Sequence, residues 1–327
     1  MHKAIAFLGV FVCSAACGGS PSPAAPTTAT STAASVQTGQ PESSGASAMT
    51  STNDSSDAGE TSSRSDTSDS TGSEEGNPLL SDRTLNIAHR GGAKHRPEET
   101  MLAFDHAVAI GVDVLELDVH ASLDGVVVCI HDDTVDRTTD GTGAISSLTY
   151  AELQTLDAAF GFSPDDGQTF PYRGKGVRIA TLAEVFAAHP EQYYALEIKQ
   201  AEPPIADAVV ELIHAAGVQS HVVVASFNTD TIVAVRAADP ELLTSMALSE
   251  YGQFLGEATD PGYEAPAGFV QAPWAGVTPA ILELSAIHGI RVHAWTVNAE
   301  QDMRKLIELG VHGIITDDPE LLNSILN

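Results

Sequence analysis

The chain has 327 residues, of which 43% are hydrophobic, and a formal net charge of −29. That excess of acid disfavours a nucleic-acid-binding surface, since phosphate backbones are held by clustered Lys and Arg. Three cysteines are too few to staple a small secreted fold, so a hydrophobic core has to carry the structure.

Met1-His2-Lys3, an apolar run over 4–12 and the small residues up to Cys17 have the three regions of an export signal, and the apolar run is too short to span a bilayer. Ser14-Ala15-Ala16 directly before Cys17, with Gly18 after it, resembles the bacterial lipobox. That resemblance implies acylation of Cys17 and a membrane-anchored lipoprotein facing the periplasm or the cell surface. Ser14 stands where Leu is usual, and plain secretion is the alternative. From 18 to 78 the chain is almost entirely Ser, Thr, Ala, Pro, Gly, Asp and Glu. Such a composition cannot bury enough apolar surface to offset ordering entropy, and it predicts a disordered stalk. A flexible coil of about sixty residues spans roughly 45 Å end to end.

Residues 79–327 have the length of one (β/α)8 barrel and keep only Cys129, so no internal disulfide is expected there. Apolar runs predict strands over 85–89, 114–120, 126–131, 193–199, 222–226, 243–248, 269–272, 291–296 and 313–316. Helical patterns fall between them at 100–110, 181–189, 205–215, 229–237, 279–287 and 300–309. Gly111, Gly217, Gly289 and Gly310 stand where helices favour a left-handed terminator. The alternation predicts an α/β fold, a TIM barrel. Two features depart from a plain barrel. Only Ser122-Leu123-Asp124-Gly125 separates the second and third strands, too little for a crossover helix, so one of the nine strands is expected to be a hairpin extension. The stretch 133–178, rich in Thr, Gly, Asp and Pro, reads as an insertion on the active-site face.

The candidate chemistry gathers at strand ends. Glu116 and Asp118 lie two apart in Val-Leu-Glu-Leu-Asp-Val, so a strand turns both carboxylates to one face and Leu115, Leu117 and Val119 to the other. Carboxylates crowded into a barrel mouth repel unless a cation or a proton lies between them, and oxygen ligands suit a hard divalent ion. Glu197 in Ala-Leu-Glu-Ile-Lys has the same placement and would be a third ligand; Lys199 shares its face and can neutralise an anion. His89 ends the first strand and His131 the third. Phosphodiester hydrolysis needs charge neutralisation, a group to activate the nucleophile and another to protonate the departing alkoxide, and two imidazoles around a cation meet that need. Arg90 offers a planar fork for phosphate oxygens. By contrast, Cys129 reads as a buried thiol and His120 as a structural residue or one supporting the ligands, while Trp274 is either substrate-facing or packing in a loop.

Taken in order, His89-Arg90-Gly91, Pro97-Glu98-Glu99-Thr100, Glu116-Leu117-Asp118, His131-Asp132, Glu197-Ile198-Lys199, Trp295-Thr296-Val297-Asn298 and Gly313-Ile314-Ile315-Thr316-Asp317 resemble the motif set of the glycerophosphodiester phosphodiesterases, from about 85 to 319. The resemblance implies a metal held by Glu116, Asp118 and Glu197, either Ca2+ or Mg2+. It implies an acid–base pair in His89 and His131, phosphate contacts from Arg90 and Lys199, and Trp295 beside the glycerol. The implied reaction is hydrolysis of a glycerophosphodiester to glycerol 3-phosphate and an alcohol. A phospholipase-type activity on intact phospholipids or lysolipids, and a surface binding barrel without catalysis, are the alternatives. Glu99 departs from the family, which usually has Asn there, and places an acid where an amide is expected. The leaving alcohol and the oligomeric state are not encoded in these motifs.

Overall fold

The computed structural model describes residues 76–327; the export signal over 1–17 and nearly all of the linker over 18–78 lie outside the described residues. In chain order the strands are β1 (Leu85–Ala88), β2 (Val114–Ala121), β3 (Val127–Cys129), β4 (Tyr193–Ile198), β5 (Val222–Ala225), β6 (Leu243–Thr244), β7 (Phe269–Pro273), β8 (Arg291–Trp295) and β9 (Gly313–Thr316). The helices are α1 (Met101–Ala109), α2 (Tyr150–Leu153), α3 (Leu182–Ala188), α4 (Ala206–Ala216), α5 (Thr229–Ala238), α6 (Leu248–Glu257), α7 (Pro279–Ile287), α8 (Glu300–Leu309) and α9 (Pro319–Leu326). Among the described residues no helix is long and apolar enough to cross a membrane.

All strands but β3 pair in parallel, in the order β6-β5-β4-β2-β1-β9-β8-β7. A parallel bridge between Ser245 and Phe269 joins the two ends, and the Met246 N–H donates to the Phe269 carbonyl at 2.9 Å, so the sheet closes as the predicted barrel. The surplus strand is β3, which folds back antiparallel on β2 with Cys129 opposite Val119. Its turn is tight because Gly125 takes φ +82° and its N–H donates to the Ser122 carbonyl at 2.9 Å. The sixth strand is shorter than expected, because Leu248 opens α6 and does not end a strand. Glu250, in the first turn of α6, accepts from the Ala247 N–H at 2.9 Å and is held by Arg236 at 2.6 Å, which stabilises a helix start that a sequence with two glycines does not advertise.

Period-two alternation sorts the core. Leu115, Leu117 and Val119 of β2 and Tyr194, Leu196 and Ile198 of β4 face outward onto Phe104, Phe186 and Val209 of the helices. Leu85, Ile87, Val114, Ala195, Val223, Phe269 and Ile315 fill the barrel, and Leu79 packs with them. Fully burying each of the larger side chains contributes roughly 1.5–3 kcal/mol, which is what anchors the strand register. The insertion has a satellite core of its own, in which Val135, Ile145, Leu153 and Ala158 pack on Val128 and Ile130. A bridge between Thr134 and Ala144 closes its base beside the end of β3.

Candidate active site

The same alternation that buries Val114 and Ala195 brings Glu116, Asp118 and Glu197 inward at the next levels of β2 and β4, where Asp118 and Glu197 are register partners. One oxygen from each of the three carboxylates lies within 4.8 Å of the others. All three residues are buried. Two cations lean on them: Lys199 Nζ lies 2.9 Å from Glu197 Oε2 and 3.2 Å from Asp118 Oδ1, and Arg90 Nε lies 3.3 Å from Asp118 Oδ2. Yet both Oδ atoms of Asp118 and Oε1 of Glu197 have no hydrogen-bond donor in the protein. Burial first, and then the Asp118 charge, pushes the pKa of Glu116 and of Glu197 up to about 7. Buried carboxylate oxygens without donors, all hard ligands, fit a divalent cation; the triad can hold one.

The strand ends on either side carry the two imidazoles. His89 opens a single turn after β1 in which Arg90 takes φ +52°, followed by Gly91 at +78° and Gly92 at +90°. At Gly91 a Cβ would come within 2.8 Å of the Ala103 Cβ on α1, so only glycine lets the turn pack this closely. The turn aims the Arg90 N–H at Glu116 Oε2, 2.8 Å away. His89 Nδ1 donates to Asp317 Oδ1 at 2.5 Å, and Asn298 Nδ2 donates to the other Asp317 oxygen at 2.6 Å. Burial opposes charging of His89, but the Glu116 carboxylate and the Asp317 hydrogen bond outweigh it and raise its pKa. His131 Nδ1 donates to Asp132 Oδ1 at 2.7 Å. Here burial prevails, aided by Lys199 and Arg90 against Asp118 and Asp132, and the pKa is lowered. In both rings the carboxylate engages Nδ1 and leaves Nε2 for other partners.

All eight predicted site residues lie at the C-terminal mouth of the barrel. Trp295, at the end of β8, is half-buried and meets Phe227 edge-on, with ring centroids 5.8 Å apart at 90°. Phe227 follows β5 and is 48% exposed, and Lys199 Nζ lies 5.5 Å from its ring centre. Of the open readings, Trp274 packs against the outer core of the β7–β9 side. His120 is buried, its Nε2 3.3 Å from the His131 carbonyl. Burial drives the Cys129 thiol well above its ordinary pKa, as befits an unreactive packing residue.

Sequence reasoning did not assign roles to Asp317, Asn298, Asp132, Glu98, Arg137 or Phe227. The first four fall inside the quoted motifs, and that membership, with Asp132 also next to an imidazole, was the available signal. Glu99 is almost fully buried at φ +60°. Its Oε1 accepts the Asp118 N–H at 2.9 Å. Burial, followed by the Asp118 and Glu116 charges, pushes its pKa well above the carboxylate range, so the residue that stands in for the usual Asn is driven toward its neutral form.

A family model of the glycerophosphoryl diester phosphodiesterases matches residues 89–321. The glycerophosphodiester phosphodiesterase of Caldanaerobacter subterraneus subsp. tengcongensis is 35% identical over 249 residues, which are 75% of this chain and 98% of that protein. Among solved structures, the glycerophosphodiester phosphodiesterase of Agrobacterium tumefaciens is 27% identical with a TM-score of 0.63, covering 74% of this chain and 99% of that one. An Oleispira antarctica phosphodiesterase, solved with the product sn-glycerol-3-phosphate, is 25% identical with a TM-score of 0.61, covering 73% of this chain and 95% of that one.

Proposed function

The chain belongs to the glycerophosphoryl diester phosphodiesterase family, and from that premise we propose that it cleaves glycerophosphodiesters to glycerol 3-phosphate and an alcohol, with His89 and His131 exchanging protons across a cation held by Glu116, Asp118 and Glu197. It is a phosphodiester hydrolase by family and fold. The observation that carries the finer reading is the convergence of three buried carboxylates within 4.8 Å in a mouth that also holds two carboxylate-bound imidazoles. The product bound by the Oleispira antarctica phosphodiesterase is the one proposed.

Glu116, Asp118 and Glu197 would hold the cation, Ca2+ or Mg2+, which would supply Lewis acidity and neutralise negative charge on the phosphoryl group. Arg90 and Lys199, already drawn to the same edge of the triad by Asp118 and Glu197, bind the phosphate oxygens and orient the scissile bond. His89, hydrogen-bonded through Nδ1 to Asp317 and with its pKa raised, gives its Nε2 proton to the departing alkoxide. His131, kept neutral by burial, takes a proton at Nε2 from the attacking oxygen. The right-angled corner of Phe227 and Trp295 packs on the glycerol carbons and excludes water from that side. Residues 1–17 serve in this reading as an export signal that leaves Cys17 as a lipid anchor, 18–78 as a spacer and 79–327 as the catalytic domain. Among the described residues, Leu79 joins the barrel interior with Leu85 and Val223.

The deciding assay measures glycerol 3-phosphate released from a panel of glycerophosphodiesters, with added Ca2+ or Mg2+ and with chelator, beside lysophospholipid micelles. Turnover of the deacylated substrates that vanishes with chelator and in Glu116→Ala is expected. Preferred turnover of micellar lipid moves the assignment to the phospholipase type, and full activity in chelator removes the cation from the reading.

A further inference from the structure

Arg137 lies in the insertion, outside the strand-end motifs, and its backbone is fixed from two sides. Thr139, 3% exposed, donates from both its N–H and its hydroxyl to the Val135 carbonyl, at 3.1 and 2.8 Å, which forms a closed turn around 136–138. Across from that turn the Gly161 N–H donates to the Thr138 carbonyl at 3.2 Å. A Cβ on Gly161 would lie 2.5 Å from the Arg137 carbonyl oxygen, so the two segments pack backbone to backbone.

From this fixed base the guanidinium reaches two acids at once. Its Nε donates to Asp132 Oδ2 at 2.6 Å; Nη1 and Nη2 donate to the two oxygens of Glu98, both at 2.8 Å. Each acid in turn holds a residue of the mouth. Asp132 accepts from His131 Nδ1 with its other oxygen, and Glu98 Oε1 also accepts from Arg90 Nη1 at 2.8 Å. The planar fork of arginine suits this double grip; the point charge of lysine does not.

We infer that Arg137 is a positioning residue, by which the insertion locks the Asp132–His131 pair and the Glu98–Arg90 pair into one rigid frame. The inference rests on the acid–base reading of His131 given above. Two consequences follow. With Asp132 immobilised, His131 keeps its proton on Nδ1 and presents Nε2 in one orientation. The Arg137 charge also offsets that of Asp132. The groups that act on His131 are Asp118 from β2, Arg90 from the turn after β1, Lys199 after β4 and Asp132 beside it. Removing Arg137 leaves the Asp132 charge uncompensated and favours the imidazolium. Arg137 thus helps keep the ring able to accept a proton.

The test compares Arg137→Gln, Arg137→Lys, Asp132→Asn and the Gln/Asn double variant in buffer containing Ca2+. Arg137→Gln is expected to lower kcat by about 10- to 100-fold, with the larger part of the effect in kcat and not KM. Lys should recover only part of it. In the Asp132→Asn background the same change should cost clearly less than it does in the wild type, because the part that acts through His131 is already lost and only the Glu98–Arg90 support remains to be removed. NMR titration of the His131 ring should show its pKa higher in Arg137→Gln than in the wild type, with Arg137→Lys, which keeps the positive charge, closer to the wild type; Arg137→Met takes the place of the Gln variant if that one fails to fold. Additive kinetic losses, or a His131 titration that does not move, would overturn the inference and leave Arg137 as a latch for the insertion alone. A wild type inactive on glycerophosphodiesters would sink the functional reading, while the NMR comparison still decides the role of Arg137.

Discussion

His293 on β8 gives the most quantitative prediction. It is fully buried, and neither ring nitrogen has a hydrogen-bond partner in the protein. The ring lies 5.5 Å from that of Phe269 and fills the space that a Cβ on Gly313 would need, 2.8 Å from its Cδ2. Burial above all, with the nearby His312 and Arg291 charges adding to it, pushes its pKa down to about 3. A histidine in the unfolded chain titrates near 6.5. Between these two values the unfolded chain takes up a proton that the folded barrel refuses, so stability falls as the pH drops through that window, by up to about 1.4 kcal/mol per pH unit. Integrated from about pH 7.5 to about pH 5, this one side chain removes about 2 kcal/mol. In a domain of this size that is a melting-temperature loss of roughly 4–8 °C. His293→Leu eliminates the term and spares the desolvation of the ring nitrogens, a cost of about 1–3 kcal/mol. Urea unfolding of both proteins at the two pH values isolates it, since titrations common to both cancel in the difference of differences. If wild type and variant lose stability in parallel between these pH values, the burial argument is wrong.

Three further predictions concern the mouth. Saturation with Ca2+ or Mg2+ at a hundred times Kd should stabilise the domain against heat by about 2.7 kcal/mol, and chelator should reverse it; Asp118→Asn should abolish the response in calorimetry. The pH dependence of kcat/KM should be bell-shaped: it rises as His131, whose pKa is lowered by burial, loses its proton, and falls as His89, raised by Glu116 and Asp317, loses its own. His131→Ala should remove the first limb from the profile. Glu99→Gln keeps an acceptor for the Asp118 N–H and the neutral charge state, so kcat at neutral pH should stay within about threefold, against the roughly tenfold or more expected when a supporting partner of a metal ligand is lost.

The barrel and its polar mouth were legible in the sequence for one physical reason. A strand alternates faces with period two, so Glu116 and Asp118 had to share a face and Leu115, Leu117 and Val119 the other, as they do. Strand-end histidines followed from the same rule. What stayed hidden is set by long-range contacts. Nothing local says that Asp317, 228 positions after His89, closes on its ring, or that Arg137 spans Asp132 and Glu98. The start of α6 depends on Arg236 of α5 meeting Glu250, a pairing without a local pattern. The surplus strand was legible as a conflict, since a four-residue link admits a hairpin and no crossover, but only the register assigned it to β3.

Glu99 shows how a departure from the family pattern is absorbed. An acid at that position would be expected to repel phosphate, yet its side chain points away from solvent and accepts the backbone N–H of Asp118, beneath the triad. With Asp118 and Glu116 so close, ionising Glu99 would add a further negative charge to a buried cluster that Arg90 and Lys199 already compensate incompletely. The least costly response is to keep the proton, as the raised pKa records. A neutral carboxyl has the acceptor oxygen an amide would offer and, like an amide, no charge, so the substitution changes the chemistry of the mouth far less than its formal charge suggests. The backbone pays in part, because φ +60° is a conformation that Asn adopts more readily than Glu. That small strain is local, while the hydrogen bond it preserves fixes the strand segment carrying Asp118, the carboxylate on which both mouth cations converge.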